Sequence, residues 1–372
     1  MRRPPVYSDA SVLAWARDEG PDVLESAALE EALGPLLRRL SLPAGLISGM
    51  TGIEARRLYP AGARPSLGAT RAARALFSGS GLGPHEVDLL YSTSVGRDFL
   101  EPSTASIIHS ALGLSPECAA LDLGSACLGF MDGLNLAALQ VDAGLCDLAL
   151  VVAGENSRPV LESTLDRLLA GECDRKLFFD NFATLTLGSG GAAMLVGRDP
   201  SESMPRLRRM ISRADGSSNH LCRGDFGGMT TDSAKLLVRG VELAARTFEA
   251  GREAFGWTPE IFDLIVCHQV SEANTLRFAE ALGLPWERVC RSYPLYGNMG
   301  AAAVPYTFDL ASEAGLLVPG TRVAMMGIGS GLSCAMLELE IPRGFRGRPV
   351  PPGPPPAAGS SRSRPGAGRG GS

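Results

Sequence analysis

The chain has 372 residues, 45% of them hydrophobic and 20% charged, with a formal net charge of −5, so it can bury a large core and is not a disordered polymer. Residues 342–372 hold six arginines and no acid. The remainder is therefore more acidic than the whole, which argues against general nucleic-acid binding; binding through the Arg/Gly tail rests on composition alone. The start, Met1-Arg2-Arg3-Pro4-Pro5, is not followed by an apolar core, and apolar runs such as Leu148–Ala153 are far shorter than the roughly 20 residues that span a bilayer. The expectation is a cytoplasmic protein without membrane insertion. Eight scattered cysteines lack C-x-x-C spacing and fit reduced thiols, and His85, His109 and His220 show no metal spacing with them, so no metal site is assigned.

Apolar strand-like runs alternate with Ala/Leu-rich helical stretches, the pattern of an α/β protein with a largely parallel sheet. In chain order the first half reads as a helix at 66–77, a strand at 87–92, a helix at 103–112 and a strand at 120–123. A helix then starts at Cys127 and leads to a strand at 148–153. The second half reads as a long helix at 231–255, a strand at 262–267 and a helix at 272–282. A turn at 296–298, a helix ending at Ala314 and a strand at 322–326 follow.

The halves look like copies. Cys127 precedes Ala143-Gly144-Leu145 as Asn298 precedes Ala314-Gly315-Leu316, at a common offset of 171 residues, and Ala111-Leu112-Gly113-Leu114 returns as Ala281-Leu282-Gly283-Leu284 at 170. We divide the chain into an N-terminal half at 1–199, a C-terminal half at 200–341 and a disordered Pro/Gly/Arg tail at 342–372. Stretches 155–187 and 200–228 fit the repeat poorly and read as loop-rich insertions of the kind that form lids or partner contacts. If the halves pack about a pseudo-two-fold axis, equivalent helix starts face each other, and a thiol and a carboxamide distant in sequence share one cavity.

Gly124-Ser125-Ala126-Cys127-Leu128-Gly129 places a cysteine between a strand end and a helix start among small residues. The positive dipole end there favours the thiolate, the reactive form. For a cysteine taken alone a small buried hydrophobe is the more ordinary use, and the duplication is what weighs against it here. His268 ends the strand Leu264–Cys267, at the edge where parallel sheets bind ligands, although strand-end histidines are often structural. Gly297-Asn298 is ordinary turn chemistry when taken alone.

Together these motifs resemble the thiolase superfamily, in its ketoacyl-acyl carrier protein synthase III branch. The similarity runs from Thr51-Gly52-Ile53-Glu54-Ala55-Arg56-Arg57 to Leu339 and includes A-C-L-G at 126–129, H-Q at 268–269, G-N-M-G at 297–300 and G-I-G-S-G at 327–331. The resemblance implies a thiolase-like fold, two duplicated α/β halves packed as a five-layered α-β-α-β-α core. It also implies acylation of Cys127 by a thioester, with His268 and Asn298 holding the oxygen of the second substrate as its enolate forms. The backbone N–H groups of Cys127 and Ser330 would form the oxyanion hole for acyl transfer. The family usually has Gly where this chain has Ser330. Cys334 is read as core rather than as the second catalytic cysteine of thiolases proper.

The run from Arg97 to Ala105 resembles more closely the OleA type, which joins two long acyl-CoA molecules head to head. In that type a glutamate before the proline reaches across a homodimer into the partner's site, which makes Glu101 the implied base. Condensation without decarboxylation removes an α-proton from an unactivated thioester and so requires a base. Without the resemblance, Glu101 reads first as a carboxylate placed near a helix dipole beside a helix-starting proline.

The implied activity is a Claisen condensation of two acyl thioesters, carried on CoA or an acyl carrier protein, with no redox cofactor. Decarboxylative condensation with malonyl-acyl carrier protein, acyl transfer to an alcohol or amine, and a non-catalytic partner of an active synthase are the alternatives. Inactive partners of this kind usually lose the nucleophile, and Cys127 is present.

Overall fold

The computed structural model describes residues 4–225 and 228–347. Its sheet strands and covering helices run in the order β1 (Ala10–Glu19), α1 (Pro65–Ser80), β2 (Leu89–Ser92), α2 (Thr104–Leu112), β3 (Ala119–Asp122), α3 (Gly129–Asp142), β4 (Leu148–Glu155) and β5 (Gly190–Arg198). The second series is β6 (Arg206–Ala214), α4 (Ser233–Phe255), β7 (Leu264–Cys267), α5 (Glu272–Leu282), α6 (Ala303–Glu313), β8 (Arg322–Gly329) and β9 (Ser333–Glu340). Together the strands form one nine-stranded sheet, in the order β7-β8-β9-β6-β1-β5-β4-β2-β3.

Counted outward from the seam between β1 and β6, the two sides match. On one side β1, β5 and β4 are antiparallel neighbours and β2 and β3 continue in parallel. On the other, β6, β9 and β8 are antiparallel, β7 is parallel to β8, and an isolated parallel bridge from Ile265 to Val289 stands where a last strand would be. The seam itself is thin, with Ser11 pairing with Arg206. Helix α1 covers β1, β4 and β5, and α4 covers β6 and β9. Between them α3 touches β4, β5 and β9, while α6 touches β1, β5, β7 and β8. These helices serve both sides, so the core has the five-layered, duplicated α/β build.

Burial explains why α3 and α6 occupy the middle. Phe130, Met131, Leu134, Ala137, Ala138 and Val141 of α3, and Ala303, Val304, Tyr306, Phe308 and Ala311 of α6, are all buried in one apolar cluster. Such a wide apolar face suits a helix packed on two surfaces. Small residues bring it close. A Cβ at Gly129 would lie 2.4 Å from the carbonyl oxygen of Thr93, so α3 begins in near contact with the chain beyond β2.

The sheet and several elements differ from expectation: five of the eight neighbouring strand pairs are antiparallel, against the largely parallel sheet that the alternation of runs predicts. β6 lies within the stretch 200–228 that reads as insertion, yet it is a sheet strand, pairing Met210 with Leu337 and Ile211 with Met336. Its arginines hide the apolar alternation: Arg208 pairs with Glu340 at 3.3 Å and Arg209 with Glu338 at 3.8 Å. The stretch 155–187 holds helices Arg158–Leu169 and Arg175–Asn181, which share an apolar cluster with helix Ser26–Arg39. The packed chain also runs past Pro342, because Phe345 is buried and stacks on Trp15 with ring centroids 6.3 Å apart. The rest of the expected tail, 348–372, lies outside the described residues. No described helix is long and apolar enough to cross a membrane.

Candidate active site

Four segments meet at the inner ends of the strands. The first is the short turn Ala126–Leu128, which joins β3 to α3 and carries Cys127. Ala126 has φ +47°, a left-handed conformation that costs an L-residue on the order of 1–2 kcal/mol and is found where surrounding packing enforces it. The turn packs against β8, β9 and the turn Gly300–Ala302 that opens α6. The helix starts bearing Cys127 and following Asn298 therefore do meet, as the duplication implies.

Gly327 of β8 separates the thiol's neighbour from the histidine. A Cβ there would lie 2.6 Å from Leu128 Cδ2, which would have to move, and in ordinary contact with His268 Cβ at 3.8 Å, so the strand passes close to both. His268 follows β7, with its N–H bonded to the carbonyl of Met326 at 2.8 Å. Its Nδ1 is buried without a protein hydrogen-bond partner. Burial pushes the imidazole down to about 4, against a weaker upward pull from the main chain of Gly300. The ring is thus neutral at ordinary pH.

Asn298 lies two residues before Gly300. Its backbone N–H donates to the carbonyl of Thr186 at 2.8 Å, and its carbonyl accepts from Gly188 at 2.9 Å. The side-chain Oδ1 accepts the N–H of Gly300 at 3.0 Å. Gly297 has φ +65° and ψ −160°, a region open essentially to glycine, and a Cβ there would be 2.6 Å from Thr186 O. Cys127, His268 and Asn298 each keep partial exposure, whereas Leu128, Gln269 and Met299 beside them are buried.

Cys127 departs from expectation. Rather than being favoured as a thiolate, the thiol is pushed up to about 12, mainly by desolvation, then by the charge of Glu155 and the nearby Cys222. One main-chain hydrogen bond works in the other direction without overcoming it. Enclosure by protein outweighs the single amide that the helix start provides. Asp132, on the first turn of α3, hydrogen-bonds Ser125 beside the cysteine.

Ser330 directly follows β8, whose Gly329 lies against the Cys127 turn: a Cβ at 329 would be 3.1 Å from Ser125 O and 3.3 Å from Leu128 N. Its main chain is thus next to that of the nucleophile. Cys334 is fully buried in a different apolar cluster. Glu101 stands exposed in the loop between β2 and α2.

That loop is anchored at both ends. Asp98 is buried and accepts from Ser66 N at 2.9 Å and Ser66 Oγ at 2.5 Å, while its own N–H donates to Thr104 Oγ1 at 3.1 Å. Arg64 lies over the Phe99 ring, 4.0 Å from its centroid. Beyond Glu101, Ser103 caps α2 by accepting from Ser106 N at 3.1 Å, and Asp122 receives the N–H groups of Thr104 and Ala105 at 2.9 and 2.7 Å. Sequence reasoning missed Asp98 and Glu155 as parts of the site. The signal for Glu155 was present, as an acid closing an otherwise apolar buried strand.

Among the described residues no group of three or more His, Cys, Asp or Glu side chains is placed to hold a metal ion.

Residues 253–341 match the family model for the C-terminal part of 3-oxoacyl-[acyl-carrier-protein] synthase III. The chain is 38% identical to an acyl-CoA:acyl-CoA alkyltransferase of Xanthomonas campestris over 90% of its length and 99% of that protein. It is 34% identical to a protein of the same name from Shewanella oneidensis, with the same shares covered. Identity to a beta-ketoacyl-[acyl-carrier-protein] synthase III of Rhizorhabdus wittichii is 28%, over 76% of this chain and 86% of that one. Among solved structures, cerulenin-bound Xanthomonas campestris OleA superposes with a TM-score of 0.88 at 38% identity, covering 90% of this chain and 98% of the other.

Proposed function

The chain belongs to the thiolase superfamily, within the synthase III-like group that includes the acyl-CoA:acyl-CoA alkyltransferases, and from that membership we propose that it condenses two fatty acyl-CoA molecules head to head without decarboxylation. The higher identity to the alkyltransferases than to the malonyl-using type of synthase supports this order of preference.

In the first step the sulfur of Cys127 attacks a thioester carbonyl. The oxyanion takes hydrogen bonds from the backbone N–H groups of Cys127 and Ser330, and CoA leaves as its thiol with the proton of Cys127. The acyl group now sits on the enzyme.

In the second step another acyl-CoA places its carbonyl oxygen between the neutral imidazole of His268 and the carboxamide of Asn298. Glu101 accepts the α-proton, and the enolate carbon attacks the acyl-sulfur carbonyl. A carbon–carbon bond forms, the carbon–sulfur bond to Cys127 breaks, and the sulfur takes the proton that Glu101 accepted, which restores both groups. The product is a β-ketoacyl thioester, and its hydrolysis gives a β-keto acid and a second free CoA.

The observation that carries the choice is the setting of Glu101. It is exposed on a tethered loop that also carries exposed apolar side chains, Val95 at 52%, Phe99 at 43% and Leu100 at 79%, and edge strand β3 exposes Leu121 at 49%. Such a patch on a sheet edge favours burial against another chain. We therefore take the working form to be a cytoplasmic homodimer in which the partner subunit's Glu101 completes each site. Glu101 would have no base to supply in the decarboxylative alternative.

Long-chain acyl-CoA supplied as sole substrate tests the reading. Release of CoA with a β-keto acid, or the ketone formed from it, is expected. Turnover that begins only when malonyl-acyl carrier protein is added would replace this function with the decarboxylative one.

A further inference from the structure

Glu155 ends β4 after seven buried residues and is itself 8% exposed. Its Oε1 accepts the N–H of Val95 at 2.8 Å and that of Ala301 at 3.2 Å, and the N–H of Gly96 bonds the same carboxylate. Val95 and Gly96 open the loop that runs to Glu101. Ala301 belongs to the turn whose Gly300 N–H is held by Asn298. Gly300, at φ +53°, lies against the carboxylate so closely that a Cβ there would be 3.1 Å from Glu155 Cδ.

An apolar residue at the end of so buried a strand would avoid the desolvation cost of a carboxylate. Three main-chain donors from two separate segments, converging on one acid, indicate that the acid organises those segments. We propose that Glu155 is a positioning residue, clamping the Asn298–Ala302 turn to the Val95–Glu101 loop and thereby fixing the enolate-binding pair relative to the loop that delivers the base to the partner's site. The clamp spans both halves of the duplicated fold.

The same carboxylate acts on the nucleophile. Burial raises Glu155 to about 7, and its charge is the second cause, after burial, of the raised Cys127 thiol. Other titratable or charged groups facing that turn are Cys222, His268, Asp132 through Ser125, and Arg97, whose guanidinium lies 3.5 Å from where a Cβ at Gly124 would be. Loss of the Glu155 charge should therefore ease ionisation of Cys127.

The test compares Glu155→Gln and Glu155→Ala in the full chain. Alkylation of Cys127 by iodoacetamide is followed against pH by peptide mass spectrometry, and CoA release and condensation are measured with long-chain acyl-CoA. Gln keeps an acceptor oxygen for Val95 and Ala301 but no charge, so its alkylation curve should move to lower pH. Ala removes the clamp, and its ratio of condensation to acylation should fall about a hundredfold, the scale of an ångström misplacement of reacting groups. An Ala variant with the wild-type ratio overturns the clamp, and a Gln curve that overlays the wild type removes the effect of the carboxylate charge on Cys127; if Ala does not fold, the same ratio in Glu155→Asp, whose side chain is one methylene too short to hold both segments, decides. The condensation readout rests on the proposed function, but the alkylation curve does not. A wild-type enzyme that fails to condense acyl-CoA removes that function while leaving the test of Glu155 in force.

Discussion

Asn298 Oδ1 accepts the N–H of Gly300 at 3.0 Å, which leaves the amide nitrogen of the same side chain as the group available to a ligand. A carboxamide held this way presents its N–H donors to a ligand, the polarity needed to bind an enolate oxygen.

Asn298→Asp should keep the bond to Gly300 but present an anion to the developing oxyanion. Condensation should fall by about 10²–10³-fold, as when a donor to an oxyanion is lost. Acylation of Cys127 should continue near its normal rate. Equal losses in both steps, read as the first burst of CoA against β-keto product, would show that Asn298 does not act on the second substrate alone.

His268 should remain neutral through the working range, since burial holds it near 4. Proton binding in the native state then lags that of the unfolded chain between about pH 6.5 and pH 4. The histidine consequently costs no stability above about pH 6.5, and it lowers stability as the pH falls through that window. An NMR titration of the imidazole should show no inflection between pH 6 and 8; one near pH 6.5 would contradict the enclosed, neutral donor.

Gly129→Ala adds a Cβ at 2.4 Å from a backbone carbonyl, that of Thr93, which cannot swing aside as a side-chain tip can. The start of α3 must shift, at a cost of about 1–3 kcal/mol for overpacking. Denaturant unfolding should show that loss, and acylation should slow because Cys127 lies two residues away. A variant with unchanged stability would mean that the contact relaxes freely.

Asp98→Ala strips Ser66 N and Oγ of their acceptor and frees the loop that carries Glu101. Unsatisfied buried donors cost about 1–3 kcal/mol. Condensation should fall more than acylation, because Cys127 stands on a different segment. Parallel losses would assign Asp98 to general stability only.

Much of the architecture was legible. Helix Glu272–Leu282 begins and ends where its apolar spacing and the following Gly283 indicate, and Cys127, His268 and Asn298 all fall at element ends. β5 is absent from the strands read in sequence because its Gly190-Gly191-Ala192-Ala193 start carries little β preference, and those small residues admit α1: a Cβ at Gly191 would stand 2.2 Å from the Gly68 carbonyl. β6 was hidden by arginines that pair with acids of the neighbouring strand. The ionisation of Cys127 was misjudged because a helix start is visible in sequence, whereas the enclosure that dominates it exists only after folding. Glu155 and Asp98 act on main-chain groups, for which spacing carries no mark.

Mixing two defective chains tests the account most directly. Cys127→Ala and Glu101→Gln subunits are each expected to be inactive in condensation, but a mixed dimer contains one site with an intact Cys127 and the partner subunit's intact Glu101. Random reassociation of equal amounts should restore about a quarter of wild-type condensation per chain. No recovery, with mixed dimers verified by mass, would place Glu101 in the site of its own chain, and a Glu101→Gln chain that condenses by itself would put it outside the mechanism; either result contradicts the shared site.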